Sequence, residues 1–110
     1  KTEDGRIILS ERMWYLMHQT RVSFSNNTFR INDEPFCGYG WNLVGRVMEN
    51  VGKAQYTTSL GEFGWSGAAA TYFWVDPALD VTGCVMTQYI GREVPIDGMM
   101  QTAAMRMLVH

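Results

Sequence analysis

Apolar and polar side chains alternate through the segment YGWNLVGRVM, residues 39–48. The apolar positions fall on one side and the polar positions on the other: Tyr39, Trp41, Leu43 and Val47 against Asn42 and Arg46. An alternation with a period of two is typical of a strand with one buried and one exposed face. The pattern therefore predicts a half-buried strand over residues 39–48.

Two longer apolar runs follow, GWSGAAATYFWV at 64–75 and VTGCVMTQYI at 81–90. Between them lies DPALD, in which Asp76 and Pro77 suit the first two positions of a type I turn. This arrangement predicts two antiparallel strands joined by that turn. Because both strands are apolar on each face, we expect structure above and below them, and two helices alone are not expected to cover both faces.

Helical patterns occupy both ends of the chain. LSERMWYLMHQ predicts a helix at about 10–20, because Ser10 can cap it and Leu9 can pack on Trp14. Near the C-terminus, apolar side chains at helical spacing predict a second helix, at about 97–109, that lies across the sheet. The residues that carry this spacing are Met100, Ala103, Ala104, Met107 and Leu108.

The polar stretches 21–36 and 49–61 lack a sustained period and are predicted to be loops. The predicted order is thus a helix, three antiparallel strands and a helix. A length of 110 residues fits a single domain over 1–110, and no repeat, low-complexity segment or linker divides it. The sequence therefore predicts an α+β fold in which an antiparallel sheet is flanked by helices.

Composition and charge narrow the range of partners. Hydrophobic residues make up 46% of the chain and charged residues 18%, as in globular proteins. The net charge of -2 comes from scattered residues, and no Lys/Arg cluster is present that would follow a phosphate backbone, so nucleic acid is not expected as a partner. The longest apolar run is too short to span a bilayer. The chain starts at Lys1 without a signal-peptide pattern, so we expect it to be part of something longer.

The two cysteines, Cys37 and Cys84, are 47 positions apart and have neither a C-x-x-C pattern nor Cys/His ligand spacing. No metal site is expected, and no cofactor is implied by any motif. Cys84 lies in the apolar run VTGCVM, where cysteine behaves as a small hydrophobe, so buried free thiols are the expected state. A disulfide between the two remains an alternative.

Ser66 lies in GWSGA, which is close to the nucleophile motif G-x-S-x-G. Ala68 replaces the last glycine, and a predicted strand follows where the motif requires a helix. A Ser-His-Asp triad would also need His18 or His110, one within the predicted first helix and the other at the chain end. Ser66 is therefore not predicted to be a nucleophile. The alternative is that the small residues of SGAAA let a neighbouring backbone approach closely.

The segment FGWSGAAATYFWVDPALDVTGCVMTQ resembles the third-motif strand and following hairpin strand of the class C β-lactamase superfamily, in particular its family VIII carboxylesterase branch. DGRIILSERMWYLMHQTRV is similar to the helix that reads G…LLS…T…LM in such enzymes, and GYGWNLVGRVM resembles their GYGFGLG strand. The similarity covers nearly all 110 residues. It implies the C-terminal portion of a β-lactamase/transpeptidase-like fold.

The resemblance implies acyl transfer by a serine in a Ser-x-x-Lys helix, assisted by a tyrosine, with the third motif forming the far wall of the cleft. This chain departs from that pattern, because no serine has lysine three residues later and neither Tyr-x-Asn nor Tyr-x-Ser occurs. The resemblance therefore implies a C-terminal segment whose catalytic half lies upstream. Alone, the chain is expected to be inactive and to associate through its exposed sheet.

The third motif reads Lys-Thr-Gly in the lactamases and often Trp-Gly-Gly in the esterases, and here it reads Trp65-Ser66-Gly67. By position, Ser66 would offer a hydroxyl to the substrate and Gly67 would let the backbone approach closely. The Ala68 N–H would be one of two oxyanion donors, presented by an edge strand. Trp65 would form an uncharged wall, which favours neutral acyl substrates over anionic β-lactams.

The expected function is thus acyl transfer or hydrolysis on small-molecule esters, amides or β-lactams, by an enzyme to which this chain contributes the third-motif strand. Two alternatives stay open. One is a non-catalytic binding or scaffold domain, in which the WSG edge holds a peptide by sheet pairing. The other is a degenerate family member that has lost activity, and a Ser-x-x-Lys before Lys1 would favour the enzyme over both.

Overall fold

An antiparallel sheet with a small hairpin beside it organises the chain, as described by a computed structural model for residues 2–91 and 96–108. The hairpin consists of β1 (Thr28–Ile31) and β2 (Glu34–Cys37). The sheet has five strands in sequential order: β3 (Tyr39–Trp41), β4 (Arg46–Met48), β5 (Phe63–Ser66), β6 (Tyr72–Asp76) and β7 (Val81–Val85). The predicted α+β class is confirmed.

Two helices accompany the sheet, α1 (Glu11–His18) and α2 (Ile96–Met107). Ser10 caps α1 as expected, because its hydroxyl accepts from the Met13 N–H at 3.2 Å. Both predicted helices are therefore confirmed to within about two residues, although position 109 of the second prediction lies outside the described residues. Short 3-10 turns occur at Ser25–Asn27 and Val51–Lys53.

The face that α2 buries differs from the predicted one. Among the side chains of α2 that the structure describes, Gln101 and Met105, four residues apart, are buried, whereas Met100 and Met107 are exposed. The reason is a polar requirement of the sheet: the buried hydroxyl of Tyr72 donates to the Gln101 side-chain oxygen. Apolar spacing alone therefore gave the wrong side of this helix.

The predicted strand over 39–48 is wrong, since this segment forms the β3/β4 hairpin. The Asn42 side-chain oxygen accepts from the N–H groups of Val44 and Gly45, both at 2.8 Å, and this reverses the chain. Arg46, which the alternation had placed on an exposed face, is 1% exposed. The predicted strand over 64–75 and the predicted loop over 21–36 differ from the structure for the same reason, because interactions between neighbouring residues decide where a strand ends.

The predicted strand over 64–75 is likewise two strands, β5 and β6, separated by a turn at 67–71. The Gly67 N–H donates to the Thr71 carbonyl at 2.7 Å, and the Ala70 N–H donates to the Gly67 carbonyl at 3.1 Å. Ala70 takes a positive φ of 57°.

The predicted loop at 21–36 is also wrong, because it contains β1 and most of β2. Asn32 and Asp33 link these strands with positive φ angles of 49° and 65°. A two-residue loop with this geometry is favoured by Asn and Asp and matches the twist of the flanking strands. The Asn-Asp pair was thus a sequence signal for the hairpin.

An aromatic cluster packs the β1/β2 hairpin against the sheet. The Phe29 ring lies 4.9 Å from that of Phe24, 4.8 Å from that of Phe36 and 5.7 Å from that of Trp41. Phe29, together with the buried Tyr39 and Met48 of the sheet, forms the apolar core at this end of the molecule.

The predicted β6/β7 hairpin is confirmed, with its turn at residues 77–80, but β7 ends at Val85, so the predicted strand over 81–90 is too long. The Asp76 carboxylate stabilises the turn, because one of its oxygens accepts from the N–H of Ala78 at 3.0 Å and of Leu79 at 3.2 Å. These bonds satisfy one oxygen of the buried carboxylate, whereas the other has no hydrogen-bond partner among the described residues.

β7 is an edge strand of the five-stranded sheet. Cys84 on this strand is exposed and Cys37 is half-buried, and both are free thiols, so the expected burial of Cys84 is wrong. Met86, just beyond the strand, is 79% exposed. The uncovered side of the edge strand explains these exposures. Among the described residues no helix has the length and apolarity that crossing a membrane requires.

Gly83 on β7 lies directly under the indole ring of Trp74, which is 3% exposed. A Cβ at position 83 would overlap this ring, so Gly83→Ala is expected to lower the free energy of unfolding by about 1–3 kcal/mol. Urea unfolding followed by Trp fluorescence measures the change. Thr82→Ala, at the exposed neighbouring position, is the matched control and is expected to stay within about 0.5 kcal/mol of the wild type. Equal effects of both variants would contradict the prediction.

Candidate functional site

The end of β5 carries the predicted motif Trp65-Ser66-Gly67. β4 pairs with β5 only at Phe63 and Gly64, whereas β6 pairs with β5 as far as Ser66. The expectation that this strand lies at an edge of the sheet is thus wrong for Phe63 and Gly64, which have β4 on one side and β6 on the other. From Trp65 onwards, however, β4 no longer pairs with β5, and this edge of β5 has no strand partner among the described residues.

The Ala68 N–H lies in the turn that follows. The Ala70-to-Gly67 hydrogen bond closes a four-residue turn with Ala68 at its second position. Because a peptide group is planar and trans, the Ala68 N–H points away from the Gly67 carbonyl and hence out of the turn. No acceptor for this N–H is found within residues 2–91 and 96–108, and Ala68 is exposed. A fixed, available donor therefore exists at the predicted position.

Ser66 is half-buried, and its hydroxyl makes no hydrogen bond to another described residue. A cavity of about 340 Å³ opens beside it. Its lining contains no charged side chain and consists of Trp65, Ser66, Gly67, Thr71, Tyr72, Phe73, Cys84 and Met86. The three motif residues therefore border one cavity, although Trp65 and Ser66 are adjacent strand positions whose side chains leave opposite faces.

Trp65 is also a packing residue. Its ring stacks on Phe36 at 5.7 Å and meets Trp41 edge-on at 4.8 Å. These contacts fix the indole at the margin of the aromatic cluster, and the same residue is one of those that line the cavity. That Trp65 forms a substrate wall stays a prediction.

His18, a triad candidate in the sequence, is engaged elsewhere. It is half-buried at the end of α1, where its ring stacks on Phe63 at 4.3 Å and meets Trp14 edge-on at 3.7 Å. Among the described residues Ser66 receives no hydrogen bond from it. His110 lies outside the described residues.

The packing of His18 predicts a pH dependence of stability. Burial lowers the pKa of His18 below its ordinary value of 6.5. As the pH falls, the unfolded chain therefore takes up this proton before the folded chain does, and we expect the free energy of unfolding to fall between about pH 7 and pH 5. Urea midpoints at both pH values measure this for the wild type and His18→Gln. The same pH dependence in both proteins would contradict the assignment to His18.

A buried polar cluster, which sequence reasoning missed, lies beneath β4 and β6. Its centre is Arg46, whose guanidinium donates to the hydroxyls of Tyr72 and Tyr56, the latter at 3.3 Å, and lies 3.5 Å from a carboxylate oxygen of Glu62. The same guanidinium stacks on the ring of Tyr39, 4.7 Å from its centre, and the Tyr39 hydroxyl donates to Glu62 at 2.7 Å. The only sequence signal was an arginine in an apolar alternating segment.

This cluster is a structural device rather than an acid-base site. Burial raises the pKa of both the Tyr39 and the Tyr72 phenol well above its usual value, so both stay protonated at neutral pH and act as donors. Arg46 has no acceptor capacity. The cluster instead ties together β4, β6 and, through Gln101, α2.

A second cavity, of about 580 Å³, lies between the β1/β2 hairpin and α2 and shares no lining residue with the first. Its wall includes the phenols of Tyr39 and Tyr56, whose oxygens are 3.0 Å apart. Its wall also carries the charged residues Glu34, Asp97 and Arg106, whereas the lining of the cavity beside Ser66 contains no charged residue.

Comparison of the chain with known proteins finds neither a family model nor a curated protein that matches it.

Proposed function

We propose that this chain supplies the third-motif strand and one oxyanion-hole amide to the acyl-transfer site of a serine hydrolase that acts on esters, amides or β-lactams. The observation that carries the proposal is the Ala68 N–H, which is held outward by a closed turn, exposed, and without an acceptor among the described residues. The nucleophile lies outside these 110 residues, because no serine here has lysine three positions later.

The chemistry follows from this donor. When a serine oxygen adds to the substrate carbonyl carbon, the electron pair of the C=O bond moves onto the carbonyl oxygen. The Ala68 N–H and the amide of the nucleophile then stabilise that oxyanion without having to reorganise. Ser66, whose hydroxyl is free of intrachain bonds in the described part, contacts a polar group of the substrate. The uncharged cavity lining is suited to neutral groups next to the reacting carbonyl.

A fluorophosphonate probe, which labels activated serines, tests the proposal. We expect no adduct on the 110-residue chain and only background hydrolysis of p-nitrophenyl butyrate. The protein whose reading frame contains this sequence is expected to be labelled on a serine outside it and to hydrolyse the ester. An adduct on Ser66 that Ser66→Ala abolishes would overturn the assignment of Ser66. Absence of both labelling and hydrolysis in the longer protein would overturn the proposed function.

A peptide-binding role is the second candidate, since the unpaired side of Trp65 and Ser66 could accept an added strand. The open stretch covers only these two positions before the turn begins, which gives a peptide few main-chain bonds. The enzyme proposal is therefore preferred, and it differs from the peptide-binding role in requiring a labelled serine.

A further inference from the structure

We propose that Thr87 is a positioning residue for the Ala68 donor, acting together with the backbone amide of Tyr89. The inference rests on the proposed function and adds to it a part that the family motif does not contain. Thr87 is neither a residue of the cavity lining nor one of the predicted motif residues, and its role would be to hold the turn in the conformation that presents the donor.

The contacts converge on one carbonyl. The Thr87 hydroxyl donates to the Ala69 carbonyl oxygen at 2.5 Å, and the Tyr89 N–H donates to the same oxygen at 3.1 Å. Thr87 and Tyr89 are half-buried and belong to the segment that continues from β7, so they link the turn to the far strand of the hairpin. No other described residue beyond the turn itself hydrogen-bonds to its backbone.

Two rigid peptide groups connect this carbonyl to the donor. The Ala69 carbonyl and the Ala70 N–H share one plane, and the Ala70 N–H donates to the Gly67 carbonyl. The Gly67 carbonyl and the Ala68 N–H share the next plane. Fixing the Ala69 oxygen therefore fixes the direction of the Ala68 N–H through a single hydrogen bond and two planar groups.

The turn needs these contacts from Thr87 and Tyr89 because the backbone of Ala70 is in the left-handed region, with a φ of 57°. This conformation is unfavourable for an L-residue with a Cβ and persists where surrounding contacts hold it. An oxyanion donor is effective only when it is already oriented before the charge develops. Loss of the Thr87 hydroxyl is therefore expected to lower kcat rather than the affinity for the substrate.

The test replaces Thr87 with valine, which keeps the shape and removes the hydroxyl, and with serine, which restores it. Thr82→Val on the exposed side of β7 is the matched control. In the longer protein, Thr87→Val is expected to lower kcat for p-nitrophenyl butyrate about tenfold with little change in KM, a part of the 10²–10³ loss typical of deleting a donor. Thr87→Ser is expected to recover most of the rate.

Amide hydrogen exchange on the 110-residue chain supplies a readout that does not depend on activity. We expect the Ala70 N–H to exchange about tenfold faster in Thr87→Val than in the wild type, while the Trp74 N–H in β6 keeps its rate. Two results would contradict the positioning role of Thr87. One is an unchanged exchange rate of the Ala70 N–H, and the other is an active longer protein in which Thr87→Val keeps its kcat. A longer protein that neither hydrolyses the ester nor reacts with the fluorophosphonate probe would overturn the proposed function instead. The exchange rate of the Ala70 N–H would then decide by itself whether Thr87 holds the turn.

Discussion

Replacing Arg46 with methionine is expected to lower the free energy of unfolding by about 3–5 kcal/mol, the largest stability effect that the structure predicts for one side chain. Arg46 and Glu62 are 1% and 0% exposed, so the variant would leave a buried carboxylate without its positive partner. It would also remove the donor that holds the Tyr72 hydroxyl. Chemical unfolding at neutral pH measures the loss.

Two comparisons make this prediction specific. Arg12→Met, at an exposed position of α1, is expected to change stability by less than about 0.5 kcal/mol. The double variant Arg46→Met/Glu62→Met is expected to be more stable than Arg46→Met alone, because the unpaired carboxylate is then absent. A double variant no more stable than the single one would show that Glu62 is not the source of the loss.

Ala68→Pro is expected to lower kcat for ester hydrolysis by about 10²–10³ in the longer protein, with a smaller change in KM. Proline removes the N–H that is proposed to bind the oxyanion. It also suits the second position of the four-residue turn that the Ala70-to-Gly67 bond closes, so the fold is expected to persist. Steady-state kinetics with p-nitrophenyl butyrate measures the rate, and thermal unfolding checks the fold.

Ala68→Ser keeps the N–H and is the control, with an expected kcat close to that of the wild type. A proline variant that folds and retains full kcat would contradict the role of this amide. The fluorophosphonate probe also develops an oxyanion when it reacts, so Ala68→Pro is expected to be labelled more slowly but on the same serine, whereas loss of the nucleophile would abolish labelling.

Local signals in the sequence determined several elements correctly. Ser10 before an apolar periodic run predicted the start of α1, because a hydroxyl at that position satisfies a helix N–H within three residues. Asp76 and Pro77 predicted the β6/β7 turn for the same kind of reason, since the carboxylate bonds backbone groups two and three residues on. Hydrogen bonds over two or three residues depend only on neighbouring positions, so they can be predicted from the sequence without knowledge of the fold.

The candidate site was predictable only in part. The motif Trp65-Ser66-Gly67 and the Ala68 amide could be named from their resemblance to known third motifs. The structure places the three motif residues around one cavity and Ala68 in the turn that follows them. The Thr87 and Tyr89 contacts could not be named, because these residues follow β7, about 20 residues along the chain from the turn, and their position depends on the register of that strand.

The tertiary structure alone decided what lies inside. The alternating pattern placed Arg46 on the polar side of a strand, and the apolar spacing of the second helix did not include Gln101, yet both residues are buried. Each is buried because partners far along the chain satisfy it: Glu62 and Tyr72 bond Arg46, and Tyr72 also donates to Gln101. Apolar patterning reports the average cost of burying a polar group, and that cost is offset in part where the fold supplies a matching donor or acceptor. The sequence therefore determined the local turns and caps, whereas assembly of the sheet with α2 determined which polar groups form its interior.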